Sequence, residues 1–171
     1  MNPNAAALVA LALVSHLTAA ADPPPRPALA DARIAAQLKA LKYGYEMTAD
    51  QDYKLVFEVG DEHRTQAVVV NSNTEFYDKY EIREIWSPAL TVSDPIDPAL
   101  ASRLLRANNS VKVGAWRIWP AAKNGDTQEI YVVFAAQIDA RASKEVLAAT
   151  LDMVAQTADQ LEKELTQKDD H

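Results

Sequence analysis

The chain has 171 residues, of which 49% are hydrophobic and 24% are charged, and this favours one globular domain with a single core. The formal net charge is -7, and no run of lysine and arginine provides a basic surface, so we expect no nucleic-acid partner. The sequence has no cysteine, which excludes disulfides, zinc-thiolate sites, thiol catalysis and acylation at a lipoprotein cysteine.

The amino terminus has the pattern of an export signal. Residues 5–14 are an unbroken apolar run, and Ala19, Ala20 and Ala21 are small residues of the kind found before a signal-peptidase site. We therefore predict a signal peptide at residues 1–21, cleaved after Ala21, and a periplasmic or secreted protein. The first four residues lack the lysine or arginine that such signals usually carry.

A retained apolar helix is the alternative interpretation of this stretch. A bilayer span needs about 20 apolar residues, and the run ends too early for that. We therefore expect no stable membrane insertion after the signal is cleaved.

Four of the six residues from 22 to 27 are proline, which restricts φ and removes backbone donors. This composition favours an extended polyproline II conformation, so residues 22–28 are predicted to be a stiff linker. A ligand for a proline-recognition domain is the less common alternative.

Apolar residues at helical spacing predict three helices, at residues 29–42, 97–109 and 143–165. Gly44 is expected to cap the first helix, and Asp97-Pro98 is a strong start signal for the second. Asn108 and Asn109 tolerate the left-handed conformation that often ends a helix.

Alternating apolar residues predict strands between the helices. Asn124-Gly125 predicts a tight hairpin between the last two strands, while residues 74–79 are expected to form a loop. The predicted fold is α+β, a five- or six-stranded antiparallel sheet with helices packed on it, in the order α-β-β-β(-β)-α-β-β-α. The strands cover residues 45–47, 53–59, 66–70, 80–88, 111–119 and 128–138.

The last helix carries an apolar seam with the spacing of a coiled coil. Burial against the chain's own sheet is the simpler explanation, and packing against the same helix of a second subunit, as a homodimer, is the alternative. The polar residues 167–171 are expected to be a frayed tail. The seam consists of Leu147, Leu151, Val154, Ala158, Leu161 and Leu165.

Over residues 29–166 this layout resembles the YbjN family of bacterial proteins. The resemblance implies a fold similar to that of type III secretion chaperones, a role as a sensory-transduction regulator and no enzymatic activity. The export signal distinguishes this chain from cytoplasmic members and argues against a transcription-linked or needle-complex role. The resemblance rests on the Leu104-Leu105-Arg106-Ala107-Asn108-Asn109 stretch, Gly114, residues 80–88 and 130–138, and the 147–165 helix with its Ala158-Asp159 pair.

The sequence offers no convincing catalytic, cofactor or metal site. His63 follows two acidic residues, but no second histidine lies one helical turn away, so a solvated turn explains it better. The serines lack a nucleophile-elbow pattern, and acidic pairs such as Asp50 with Asp52 are common in an acidic chain. We therefore expect no enzyme, cofactor or bound metal.

Trp116 and Trp119 are three positions apart in a predicted strand, so they must point to opposite faces. One of them is then available to a partner. Together with Leu147, Val154 and Leu161 of the seam, they form the predicted interaction surface.

The sequence leaves two functional classes open. The first is a protein-interaction module, chaperone-like, adaptor-like or regulatory, that binds a protein or peptide. The second is a small-molecule sensor that holds an apolar ligand between the sheet and the last helix.

Overall fold

The computed structural model describes residues 29–60, 63–121 and 129–170. The predicted signal peptide (1–21), the proline-rich linker (22–28) and the Asn124-Gly125 turn lie outside these ranges. Among the described residues, no helix combines the length and the apolar character needed to cross a membrane.

Three helices and six strands follow one another in the predicted order, which confirms the α+β class. All neighbouring strands pair antiparallel, in the spatial order β1-β2-β3-β4-β6-β5. The last strand in sequence is therefore inserted between β4 and β5. The elements are α1 (Ala32–Leu41), β1 (Glu46–Met47), β2 (Tyr53–Val59), β3 (Arg64–Tyr77), β4 (Tyr80–Ser93), α2 (Pro98–Ala107), β5 (Ala115–Pro120), β6 (Glu129–Asp139) and α3 (Lys144–Thr166).

One face of the sheet packs against α1 and α3. Alternate residues of the strands point towards these helices, including Val68, Ile85 and Phe134, each with no exposed surface. The seam residues of α3 from Leu147 to Leu161 lie opposite them in the same core, whereas Leu165 is exposed.

The burial of α3 corrects part of the predicted interaction surface. Leu147, Val154 and Leu161 are 1%, 0% and 7% exposed within the single chain, because they pack on the chain's own sheet. They are therefore core residues and are not available to a second subunit without unfolding α3.

The length predicted from the sequence for the hairpin of β3 and β4 was wrong. Residues 74–79 were expected to be a loop, but β3 continues to Tyr77, and only Asp78 and Lys79 separate it from β4. Pro88 was expected to end the next strand, yet β4 continues to Ser93. A shift in the β4–β6 register after Pro88 accommodates a residue that has no N–H to donate.

Two predicted helix ends were also wrong. Lys42, with φ of 61°, caps α1 in the left-handed conformation in place of Gly44. Asn108 keeps the right-handed conformation at the end of α2. Its side chain instead bonds to β5, where its Oδ1 accepts from the N–H of Trp116 at 2.7 Å and its Nδ2 donates to the Trp116 carbonyl at 3.4 Å.

The carboxyl-terminal tail is held in place, whereas a frayed tail was expected. The N–H and the hydroxyl of Thr65 donate to the Asp169 carboxylate, at 3.1 and 3.3 Å. The N–H of Asp170 donates to Glu162 Oε1 at 2.7 Å. The tail thus returns from α3 to the beginning of β3.

Candidate protein-interaction surface

The second face of the sheet carries no packed helix among the described residues. We call it the open face. Because side chains alternate along a strand, the neighbours of the core residues point to this side. Side chains from β2 through β5 line a groove of about 910 Å³ there, with the β1–β2 loop at its rim.

Two tryptophans form the aromatic part of this groove. Trp86 on β4 and Trp119 on β5 lie edge to face with their ring centroids 4.7 Å apart, reaching across β6. The indole N–H of Trp86 donates to Asn71 Oδ1 at 2.9 Å, which fixes the ring. Both rings are half-buried, so part of each remains accessible.

The floor beneath these rings is apolar. Val69 and Ala135 are the cross-strand neighbours of Trp86 on either side, and they are 6% and 0% exposed. No helix in the described part of the chain covers them, and the large side chains of the open face exclude water from them. An apolar floor with accessible aromatic rings is the composition of a protein-binding patch.

The groove is acidic. Four carboxylates line it, from Asp50, Asp52, Glu84 and Asp170, against a single lysine, Lys54. Arg117 pairs with the Glu84 carboxylate on the same face. Burial raises the pKa of Glu84 despite this pair.

One end of the groove is joined to the start of α1. The N–H of Ser72 donates to Asp52 Oδ1 at 2.7 Å, and the N–H of Asp31 donates to Ser72 Oγ at 3.2 Å. Asp52 lines the groove, whereas Asp31 is the N-cap of α1. The described chain therefore begins on the helix side of the sheet, at the strand end where Asp52 lines the rim of the groove.

A partly buried ion network holds α1 on the sheet. Arg83, with 3% of its side chain exposed, pairs with the Asp31 carboxylate and donates to the Asn71 and Ser72 carbonyls. Arg33 bridges Asp31 and Glu81 at 2.6 Å each.

These contacts shift the pKa values of two carboxyl groups. Burial alone would raise the pKa of Asp31, but hydrogen bonds from Arg33 and Arg83 overcome it and lower the pKa to about 2. The hydrogen bond from Arg33 lowers the pKa of Glu81 to about 2 as well. The network is fully charged at neutral pH and has a structural role.

A second cluster of acidic residues also has a structural role. Carboxylate oxygens of Asp159, Glu162 and Asp169 lie within 4.8 Å of one another. The Arg64 guanidinium lies among them, at 2.6 Å from Asp159 and 3.2 Å from Glu162. Because an arginine already compensates their charge, the cluster ties α3 and the tail to β3, which explains it without a metal ion.

The structure separates the two predicted tryptophans as expected. Trp116 turns to the core side and packs against Phe134, with ring centroids 5.2 Å apart, whereas Trp119 lies on the open face. Trp86 was missed as its partner, because β4 and β5 are brought together only by the insertion of β6.

The space between the sheet and α3 is filled by core side chains. A cleft of about 300 Å³ lies beside it, where α2, α3 and β5 meet, with Leu104, Trp116 and Leu161 among its lining residues. This cleft is where the ligand of the alternative sensor function would bind. It is about a third of the volume of the groove on the open face.

Comparisons with known proteins complete the description. No family of known proteins matches the sequence, and no curated protein matches it. Among solved structures, the chain is similar to YbjN from E. coli, described as a candidate transcription regulator, with a TM-score of 0.41 and 14% sequence identity. The match covers 80% of this chain and 92% of that one, and it concerns the fold alone.

Proposed function

We propose that this protein is a non-enzymatic interaction module that binds an extended segment of a partner protein on the open face of its sheet. The observation that carries the proposal is the pair of accessible indole rings, Trp86 and Trp119, over an apolar floor that none of the described helices covers. Indoles combine a large apolar surface with an N–H donor, which is why they are enriched at protein interfaces.

The shape of the groove favours a peptide over a compact ligand. The groove runs from β2 to β5, which are four strand spacings apart, or about 19 Å. Six residues of an extended or polyproline II chain span a similar distance.

The charges of the groove favour a neutral or basic segment. Four carboxylates and one lysine line it, so an acidic partner or a nucleic-acid backbone would be repelled. A basic residue beside the aromatic rings would be attracted.

The absence of enzymatic activity belongs to the same proposal. Two of the four carboxylates that line the groove, Glu84 and Asp52, are each held by a donor, Arg117 and the Ser72 N–H respectively. Groups held in this way position the surface, and they are poorly suited to exchange protons with a substrate.

Export is also part of the proposal, on the strength of residues 1–21. The module would then act in the periplasm or outside the cell. Intact mass measurement of the chain expressed in a bacterial host tests this: a mass that begins at Asp22 in the periplasmic fraction supports export, and an uncleaved cytoplasmic chain contradicts it.

A peptide-library selection tests the binding function. The chain should enrich peptides of six to eight residues that share a sequence pattern, and Trp119→Ala should abolish their binding. Tyr77→Ala is the matched control, because Tyr77 is 75% exposed at the hairpin tip, away from the groove. Failure to enrich any peptide, or enrichment that Trp119→Ala leaves unchanged, would refute the proposal.

A further inference from the structure

We propose that the chain's own proline-rich segment, residues 23–27, binds in the groove of the open face and competes there with the partner. The inference rests on the proposed function in one respect, because it takes the same groove to be a peptide site. It adds an occupant and a form of regulation, since a partner must displace the segment to bind.

The first argument is reach. The described chain begins at Leu29, and two residues later Asp31 is linked through Ser72 to Asp52 at the end of the groove. Seven residues, 22–28, precede Leu29, and in the polyproline II conformation they span about 22 Å. That length is close to the distance of about 19 Å from β2 to β5, so the segment can extend over most of the groove from its rim.

The second argument is the chemistry of the floor. Proline-rich segments bind to grooves lined by aromatic residues, because the proline rings pack on the flat faces and little conformational entropy is lost. Trp86, Trp119 and Tyr131 all line this groove. Four prolines lie within the six residues from 22 to 27.

The third argument is charge. Arg26 is the only basic residue of the segment, and it lies between Pro25 and Pro27. The groove presents four carboxylates against one lysine. A guanidinium held among the prolines would therefore bind next to the rings with favourable charge.

The test uses the full-length chain, expressed with its natural amino terminus and labelled with fluorotryptophan. Its three tryptophans give three fluorine signals, assigned by single Trp→Phe variants. Replacing Pro23, Pro24, Pro25 and Pro27 by serine should shift the signals of Trp86 and Trp119. The signal of Trp116, on the core side, should stay in place as an internal control.

A synthetic peptide provides the reverse experiment. Residues 22–28, added as a free peptide to the four-serine variant, should return the Trp86 and Trp119 signals towards their original positions. A peptide of the same length with serine in place of proline should not. An Arg26→Ala peptide should bind at least threefold more weakly.

Three results would overturn the inference. One is that the serine substitutions leave the Trp86 and Trp119 signals unchanged. Another is that the signals depend on protein concentration, because the segment of a second copy would then be the occupant. The third is that library peptides bind the original chain and the four-serine variant with equal affinity.

The last result would leave the proposed function intact, since peptides would still bind. Conversely, the fluorine signals are measured without any partner. They therefore report on the segment even if the library yields no peptide and the proposed function fails.

Discussion

Trp86 and Trp119 meet edge to face, with ring centroids 4.7 Å apart, although the strands that carry them are not neighbours. β6 passes between β4 and β5, and both rings lean across it on the open face, opposite to the described helices α1 and α3. A contact that only strengthened the core would lie on the helix side. This one forms a surface, and the functional proposals depend on it.

The first prediction concerns that contact. Trp119→Ala should lower the affinity for a selected peptide by at least tenfold, because truncation of a central aromatic residue commonly costs about 2 kcal/mol of binding. Loss of the aromatic pair should cost only about 1 kcal/mol of folding stability. Calorimetric titration and urea unfolding measure the two effects, and a loss of stability that accounts for the lost binding would contradict the prediction.

The second prediction concerns the buried pair of Asp31 and Arg83. Asp31→Asn keeps an N-cap side chain but removes the charge, which leaves Arg83 buried without its counter-ion. Breaking a buried pair in this way should cost about 3 kcal/mol in urea unfolding.

Asp97 provides the matched control for this change. It caps α2 in the same manner, by accepting from the N–H groups of Ala99 and Leu100 at the protein surface. Asp97→Asn should change stability by less than about 0.5 kcal/mol. Equal losses for both variants would show that capping, and not the ion pair, explains the effect.

The third prediction is the response to acid. The pKa values of Asp31 and Glu81 are lowered from 3.8 and 4.5 to about 2 by their arginine partners. Between about pH 5 and pH 2, the unfolded chain therefore binds more protons than the folded chain. The contribution of these carboxylates to the free energy of unfolding is fully present above about pH 5 and is lost as the pH falls towards 2.

Urea midpoints at pH 6 and pH 3 measure this loss. Glu81→Gln should be less stable than the original chain at pH 6, and its midpoint should fall by a smaller amount between the two values. A variant that loses as much stability on acidification as the original chain would contradict the assignment.

The fourth prediction tests the seam of α3. Leu151 has no exposed surface, and Leu151→Ala should cost about 3 kcal/mol through lost burial and the cavity that remains. Leu165 belongs to the same seam but is 41% exposed, and Leu165→Ala should cost less than about 1 kcal/mol. Similar losses at both positions would contradict the burial of the seam within one chain.

The fifth prediction concerns the edge of the sheet. Asn108 supplies hydrogen-bond partners to the outward N–H and carbonyl of Trp116 on β5. Asn108→Ala should cost about 1 to 2 kcal/mol, because those backbone groups lose their partner at the edge. Asn109→Ala, at an exposed neighbouring position, is the control and should be close to neutral.

The helices and the order of the elements could be predicted from the sequence, because the residue patterns that indicate them are local. Asp97 and Ser143 cap α2 and α3 where the pattern placed the helix starts. The lengths of β3 and β4 could not be predicted, because residues 74–77 of β3 are held by pairing with β4, and residues 90–93 of β4 by pairing with β6 beyond Pro88. Pairing of this kind depends on tertiary context.

Only half of the candidate surface could be predicted from the sequence, for the same reason. The three-residue spacing of Trp116 and Trp119 correctly separates them onto two faces. Nothing local indicates that Trp86 joins Trp119, or that Asn108 reaches back to β5, because both contacts depend on the β4-β6-β5 order. The seam of α3 gave a strong helix signal but no information on which surface buries it.

The most direct test of the account follows the three tryptophan indole signals by nuclear magnetic resonance while a selected peptide is titrated into the chain. We predict that the signals of Trp86 and Trp119 move with a common saturation curve and that the signal of Trp116 does not. Movement of Trp116 alone would place the binding site in the cleft beside α3, and it would contradict the proposal that the open face binds the partner.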